Sequence, residues 1–257
     1  MLILLPPSEG KYAPARGAAL DLAGLSAPTL TPARETLLDA LVELCATDPE
    51  RAADALGLGP TQAGLVEANA RLREASTARA DRVYTGVLYD ALDAGSLSSA
   101  AKRRLTARVG IASALFGLVR PADRIPAYRL SGDTVLPGLG SVAGHWREHL
   151  GPAMEEAVGG GLLVDLRSTA YSSFWRPTDP ARTATVRVLH EQGGRRKVVS
   201  HFNKATKGRL VRALLEDGAN PRTPLDLAAA LSDLGWTVES DASPRTGTRL
   251  DVVVADL

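Results

Sequence analysis

An α/β fold built on a mixed sheet is what this sequence predicts, and three observations predict it. A short, continuous apolar run at 2–5 has the character of a strand buried on both faces, and 108–112 and 162–166 read as two more short, buried-type strands. Between them lie stretches with apolar residues at helical spacing, opened by capping residues and proline. Further on, 183–189 alternates with period two, turns at Gln192-Gly193-Gly194 and returns through 197–202, which reads as an antiparallel hairpin. The expectation is a single compact domain over 1–257.

The first run stops at Pro6-Pro7 and gives way to Ser8-Glu9-Gly10-Lys11, a polar loop whose glycine count and spacing are wrong for a Walker loop. Residues 12–30 read as an irregular surface excursion. Thr31-Pro32 starts a helix, with Leu37, Leu38, Leu41, Val42 and Cys45 at helical spacing, and Asp48-Pro49 starts another. Leu56-Gly57-Leu58-Gly59-Pro60-Thr61 then separates two helical stretches, the second reaching about 75. An apolar-Gly-apolar-Gly turn at this place is the pattern of a helix-hairpin-helix, over about 48–75, whose amides at Gly57 and Gly59 could hold a phosphate without reading bases. The same turn also serves as an ordinary connection. Arg51, Arg71 and Arg73 are the cations near it.

Residues 83–90 lead into a helix ending near 93–95, and a second runs from Ser96 to about 105. Its Lys102, Arg103 and Arg104 read as a solvated face. After the strand at 108–112 comes a proline-punctuated loop with Arg120, Asp123, Arg124, Tyr128 and Arg129, suited to planar anion recognition or to structural ion pairs. A helix over 141–157 carries His145 and His149, four apart, with no further ligand to make a metal site. The run at 162–166 ends in Asp165, Arg167, Ser168, Thr169 and Tyr171. At 197–212 a strand passes into a helix with His201, Asn203, Lys204, Thr206 and Lys207 at the junction. A helix at 225–231 follows Thr223-Pro224, and strands at 236–239 and 250–255 close the chain.

Composition narrows the function. The 257 residues carry 30 Lys and Arg against 29 Asp and Glu, a net charge of +1, so binding to a polyanion requires local segregation of charge. The one cysteine, Cys45, excludes an internal disulfide framework and fits a reducing compartment. The apolar opening is too short for a signal peptide and is broken by two prolines. No apolar run approaches the roughly 20 residues of a spanning helix. A cytoplasmic protein with no metal, no cofactor and no membrane partner is expected.

Three strand runs thus end in polar clusters at 8–11, 165–172 and 201–207. Ligands in open α/β sheets sit beyond the carboxyl ends of strands, so one shared cationic site is expected, with an anion such as phosphate as its guest.

These segments also carry a resemblance. Leu-Leu-Pro-Pro-Ser-Glu-Gly-Lys at 4–11, Tyr84-Thr85-Gly86, Leu115-Phe116-Gly117-Leu118-Val119-Arg120-Pro121 with Pro126-Ala127-Tyr128-Arg129, Leu166-Arg167-Ser168 with Tyr171, and 200–208 with its Lys204-Ala205-Thr206-Lys207-Gly208 resemble, in order and over nearly the whole chain, the YaaA family of bacterial peroxide stress response proteins. The first of these departs from the Ser-Pro-Ala-Lys type sequence of other members. The resemblance implies a compact α/β domain of unusual topology, in the cytosol, that protects DNA under peroxide by limiting free iron. It also implies DNA binding by a helix-hairpin-helix-like element, here at 56–60, and by a positive cleft, here at Lys11, Arg120, Arg129, Lys204 and Lys207.

Two functions stay open. One is a DNA-binding stress protein, with Ser8, Lys11, Arg120, Tyr128, Arg129, Arg167, His201, Asn203, Lys204, Lys207, Gly57 and Gly59 meeting phosphates. The other is an enzyme for a small anionic or nucleotide-like substrate in the same cleft. There Asp165 or Glu9 would be the base, Lys204 and Lys207 would hold charge, and Tyr171 or Tyr128 would relay a proton.

Overall fold

The chain opens on β1 (Leu2–Leu5), whose four side chains are all buried. The computed structural model describes residues 1–193 and 195–255, and the side chains of all of these except Ser200 and His201. Three helices follow the excursion at 12–30: α1 (Thr31–Thr47), α2 (Pro49–Ala55) and α3 (Ala63–Ala70). Asp48 caps α2 by accepting from the Arg51 amide, with Pro49 at the first position where no N–H is needed. Then come β2 (Ala78–Arg79), α4 (Ala80–Val83), α5 (Val87–Leu92), α6 (Ser99–Arg108), β3 (Val109–Ser113), β4 (Gly117–Val119), β5 (Arg124–Ile125), β6 (Val135–Leu136), β7 (Gly140–Ser141) and α7 (Val142–Val158). The last third holds β8 (Leu163–Asp165), α8 (Thr169–Ser172), β9 (Thr183–Gln192), β10 (Arg195–Lys197), α9 (Ser200–Asp217), α10 (Pro224–Asp233), β11 (Thr237–Ser243) and β12 (Gly247–Val254).

Among the described residues the main sheet is mixed, with strands in the order β11-β12-β9-β8-β1-β3-β4 and β10 paired to β9. Strands β1, β3, β8, β9 and β12 run parallel, whereas β4, β10 and β11 run antiparallel to their neighbours. Short parallel strands covered on both faces explain the unbroken apolar runs of β1 and β3. Strand β1 is the hinge of the topology. The chain leaves it toward β3 on one side, whereas β8 on its other side leads away to β9 and β12. The loops after β1 and β8 therefore diverge, and a crevice opens between them at the carboxyl ends of the strands.

Two expected elements differ in the structure. The expected strand at 197–202 is only Arg195–Lys197, and α9 begins at Ser200 rather than near 203. Strand β10 pairs with β9 only through Lys197, and the Asn203 amide already bonds the Val199 carbonyl at 2.8 Å, which closes the first helical turn. Phe202 stacks near His190, ring centroids 6.2 Å apart, so its apolar side chain serves a helix rather than a strand. The expected helix to about 75 likewise stops at Ala70.

Candidate functional site

Two cavities meet at the loop that follows β1. One, a chamber of about 420 Å³, lies at the crevice between β1 and β8 and is lined by Pro6 to Gly10, Thr85 to Tyr89, Leu166, Ser168, Tyr171, Asn203, Lys204 and Lys207. The other, a groove of about 560 Å³, is lined by Glu9, Gly10, Lys11, Gln62, Leu65, Asn69, Arg71, Tyr128 and Arg129, with neighbours from 13–14 and 75–76. An ion pair between the Arg129 guanidinium and the Glu9 carboxylate stands at the boundary. They share Glu9 and Gly10 in their linings, and this adjoining pair is the recess.

The loop is held by its own polar atoms. Ser8 Oγ donates to the Gly10 carbonyl at 2.5 Å and accepts the Thr85 amide at 3.1 Å, and Lys11 pairs with Tyr84 in an isolated bridge. Lys11 turns its ammonium inward: Nζ donates to the Ser8 carbonyl at 2.9 Å and lies 4.2 Å from the Tyr128 ring centroid. Burial lowers its pKa from 10.5 to about 8, against the raising effect of Glu9. Tyr128 is fixed beneath it by a hydroxyl chain, with Ser113 at 2.8 Å on one side and Tyr84 at 3.0 Å on the other. Burial raises the pKa of Tyr84, Tyr128 and Tyr171 alike, so all three carry their protons at neutral pH.

On the chamber side, the first two turns of α9 present Asn203, Lys204 and Lys207. Lys204 is exposed, and Lys207 is half-buried with Nζ donating to the Leu166 carbonyl at 3.2 Å. Burial brings the Lys207 pKa from 10.5 down to about 8, with the Asp165 charge opposing. Among the described residues, Asn203 Oδ1 is buried without a hydrogen-bond partner. The helix reaches this position because Gly208 meets α5 face to face: a Cβ there would lie 2.2 Å from the Leu88 carbonyl oxygen.

Other expected residues are placed differently. Asp165 and Arg167 form a buried two-point ion pair, Nε to Oδ1 at 3.0 Å and Nη2 to Oδ2 at 2.7 Å. Arg167 also donates to the Tyr171 and Trp175 carbonyls. Its donors are thus spent on structure, and the Asp165 carboxylate is held by three N–H groups of one residue rather than left open as a base. Arg120 does not join the recess. It bonds the Val109 carbonyl at 3.2 Å, at the amino end of β3, while the recess lies at the carboxyl ends. The antiparallel return of β4 carries Arg120 back to that end. The segment expected to form the hairpin turns the flank of α3 to the groove, not its glycines. Gly57 has φ +61 and its amide bonds the Asp54 carbonyl, and the Gly59 amide donates to Gln62 Oε1 at 3.1 Å. The His201 side chain lies outside the described side chains. His145 and His149 bond the carbonyls of Ala33 and His145, and the described residues contain no group of three His, Cys, Asp or Glu placed to hold a metal.

Asn69 escaped the sequence reading, whereas Arg71 was noted only as a cation near the glycine turn and Thr85 only within the family resemblance. Asn69, buried in α3, clamps residue 129 by donating from Nδ2 to its carbonyl at 2.7 Å and accepting its amide on Oδ1 at 2.9 Å. A lone Asn in an otherwise apolar helical stripe was the available signal. Arg71 adds a cation just beyond α3, and Thr85 anchors the Ser8 loop.

Residues 1–242 match the family model described as "Peroxide stress protein YaaA". The chain belongs to the YaaA family. A UPF0246 protein of Streptomyces coelicolor is 52% identical to it over 261 residues, covering 100% of both chains. One from Corynebacterium efficiens is 43% identical over 93% of this chain and 95% of its own. An uncharacterised protein of Campylobacter jejuni is 31% identical over 54% of each. The family name attaches this fold to the peroxide stress response. Among the described residues, no helix is long and apolar enough to cross a membrane.

Proposed function

We propose that this YaaA-family protein serves the peroxide stress response from the cytoplasm by holding nucleic-acid phosphates, those of DNA first, along the recess, shielding DNA while free iron is limited. One observation carries the reading. The recess is lined by Lys11, Arg71, Arg129, Lys204 and Lys207 and by one acid, Glu9, in a chain whose overall net charge is only +1. Such segregation is what non-specific phosphate binding requires. The α3 flank of the hairpin is proposed as a wall of the groove.

The test is a titration of duplex DNA at several salt concentrations. Each neutralised phosphate adds about 0.9 to the slope of log affinity against log salt, so four or five contacts give a slope near −4. A flat slope, or no binding at low salt, contradicts the proposal. Sequence preference should be slight, since nothing in the recess resembles a base-reading array.

A further inference from the structure

We infer that the chamber between β1, β8 and α9, the α9 side of the recess, also binds a small phosphate monoester, with Lys204 at the mouth it shares with the polymer, Lys207 within and Asn203 Oδ1 accepting a hydrogen bond from the ligand. This goes beyond the nucleic-acid reading and does not depend on it. The position comes first: the crevice at the topological switch point of an α/β sheet is where small ligands sit, and about 420 Å³ is the size of such a site.

The electrostatics are next. Glu9 in the chamber lining and Asp165, whose charge acts on Lys207, are already committed, Glu9 to Arg129 and Asp165 to Arg167. Among the described residues neither Lys204 nor Lys207 forms an ion pair, so the chamber carries uncompensated positive charge. Lysine is a point charge, suited to a phosphate, whereas a planar carboxylate is better met by the fork of an arginine. Both guanidiniums near the chamber are occupied elsewhere.

The buried acceptor points to the rest of the ligand. A carboxamide oxygen shut away from water without a donor costs free energy of a size that a hydroxyl or N–H from a guest would recover. A phosphate bearing such a group, against the apolar wall of Leu88, Tyr89 and Tyr171, uses every feature of the chamber. An open groove for a strand backbone needs neither the acceptor nor the half-burial of Lys207.

The test uses pyridoxal 5′-phosphate as an anionic probe of all five lysines in the full-length chain. The Lys207 amine adds to the probe's aldehyde with loss of water, borohydride delivers hydride to the imine carbon, and peptide mass mapping locates the adduct. Modification of Lys207 ahead of the exposed Lys102 and Lys197 is expected, with inorganic phosphate slowing it at least severalfold. Asn203→Leu should leave that rate of modification within about twofold and weaken protection by ribose 5-phosphate more than protection by inorganic phosphate. Modification that simply follows exposure, or that inorganic phosphate does not slow, overturns the inference. So does protection by duplex DNA without protection by phosphate, which would assign the chamber to the polymer. Arg71→Ala, expected to weaken DNA binding, should leave the labelling unchanged, so the two readings fail separately.

Discussion

Three cations drawn in from solvent, Arg34, Lys11 and Lys207, set the residue-scale behaviour. Arg34 is 0% exposed and knits the loop at 26 to the turn before β4: Nε donates to the Phe116 carbonyl at 3.0 Å, and Nη2 to those of Ser26 and Leu118 at 2.7 and 2.8 Å. Burial lowers its pKa to about 10, against the Asp123 charge. Arg34→Met should lower stability by about 3 kcal/mol or more in urea unfolding, because three carbonyls lose their donors where water does not reach them. Lys11 and Lys207 produce a pH signature. Each has a folded pKa of about 8 against an ordinary 10.5, so between these values the unfolded chain binds more protons and stability rises with pH. Below about 8 that contribution is lost. The buried tyrosines, with raised pKa, act in the opposite sense above about 10, because only the unfolded chain ionises them. Melting temperature should therefore climb from pH 8 toward 10 and then fall, and Lys11→Met with Lys207→Met should flatten the climb. An unchanged climb in the double variant would show that these lysines do not titrate as placed.

Element packing decides the shape of the chamber. Gly208 lets α9 lie against α5 at backbone distance, and Gly208→Ala should cost on the order of 1–3 kcal/mol, since the opposing atom is a carbonyl oxygen that cannot rotate away. A melting temperature within a degree of the parent would contradict this contact. The elements legible in the sequence were those with a local signature: the apolar runs of β1, β3 and β8, and the helix starts at Thr31, Asp48 and Thr223. The onset of α9 was missed because Val198 and Val199 look like strand residues, while the partner strand that would have fixed them ends at Lys197. Arg120 was misplaced for a related reason. Proximity along the chain to Arg129 says nothing of the antiparallel return of β4, which carries it to the far end of the sheet.

For the whole molecule, the segregation of charge was readable only in part. Lys11, Arg129, Lys204 and Lys207 could be named from the sequence as cations beside strand ends or turns, and the structure brings them to one recess. That Arg167 and Asp165 would neutralise each other was not readable, because both follow the same strand and nothing local says which partner a buried arginine finds. A second cationic surface, with Arg82, Lys102 and Arg103 around a cavity of about 680 Å³ flanking α6, provides an internal control for polyanion binding. The most direct measurement is the salt slope of duplex DNA binding for Arg71→Ala with Lys204→Ala, cations from segments more than a hundred residues apart, beside Lys102→Ala with Arg103→Ala. Convergence on one phosphate-holding recess predicts that the first pair lowers the slope by about two and the second leaves it unchanged. An unchanged slope in the first pair, or an equal fall in the second, would contradict it.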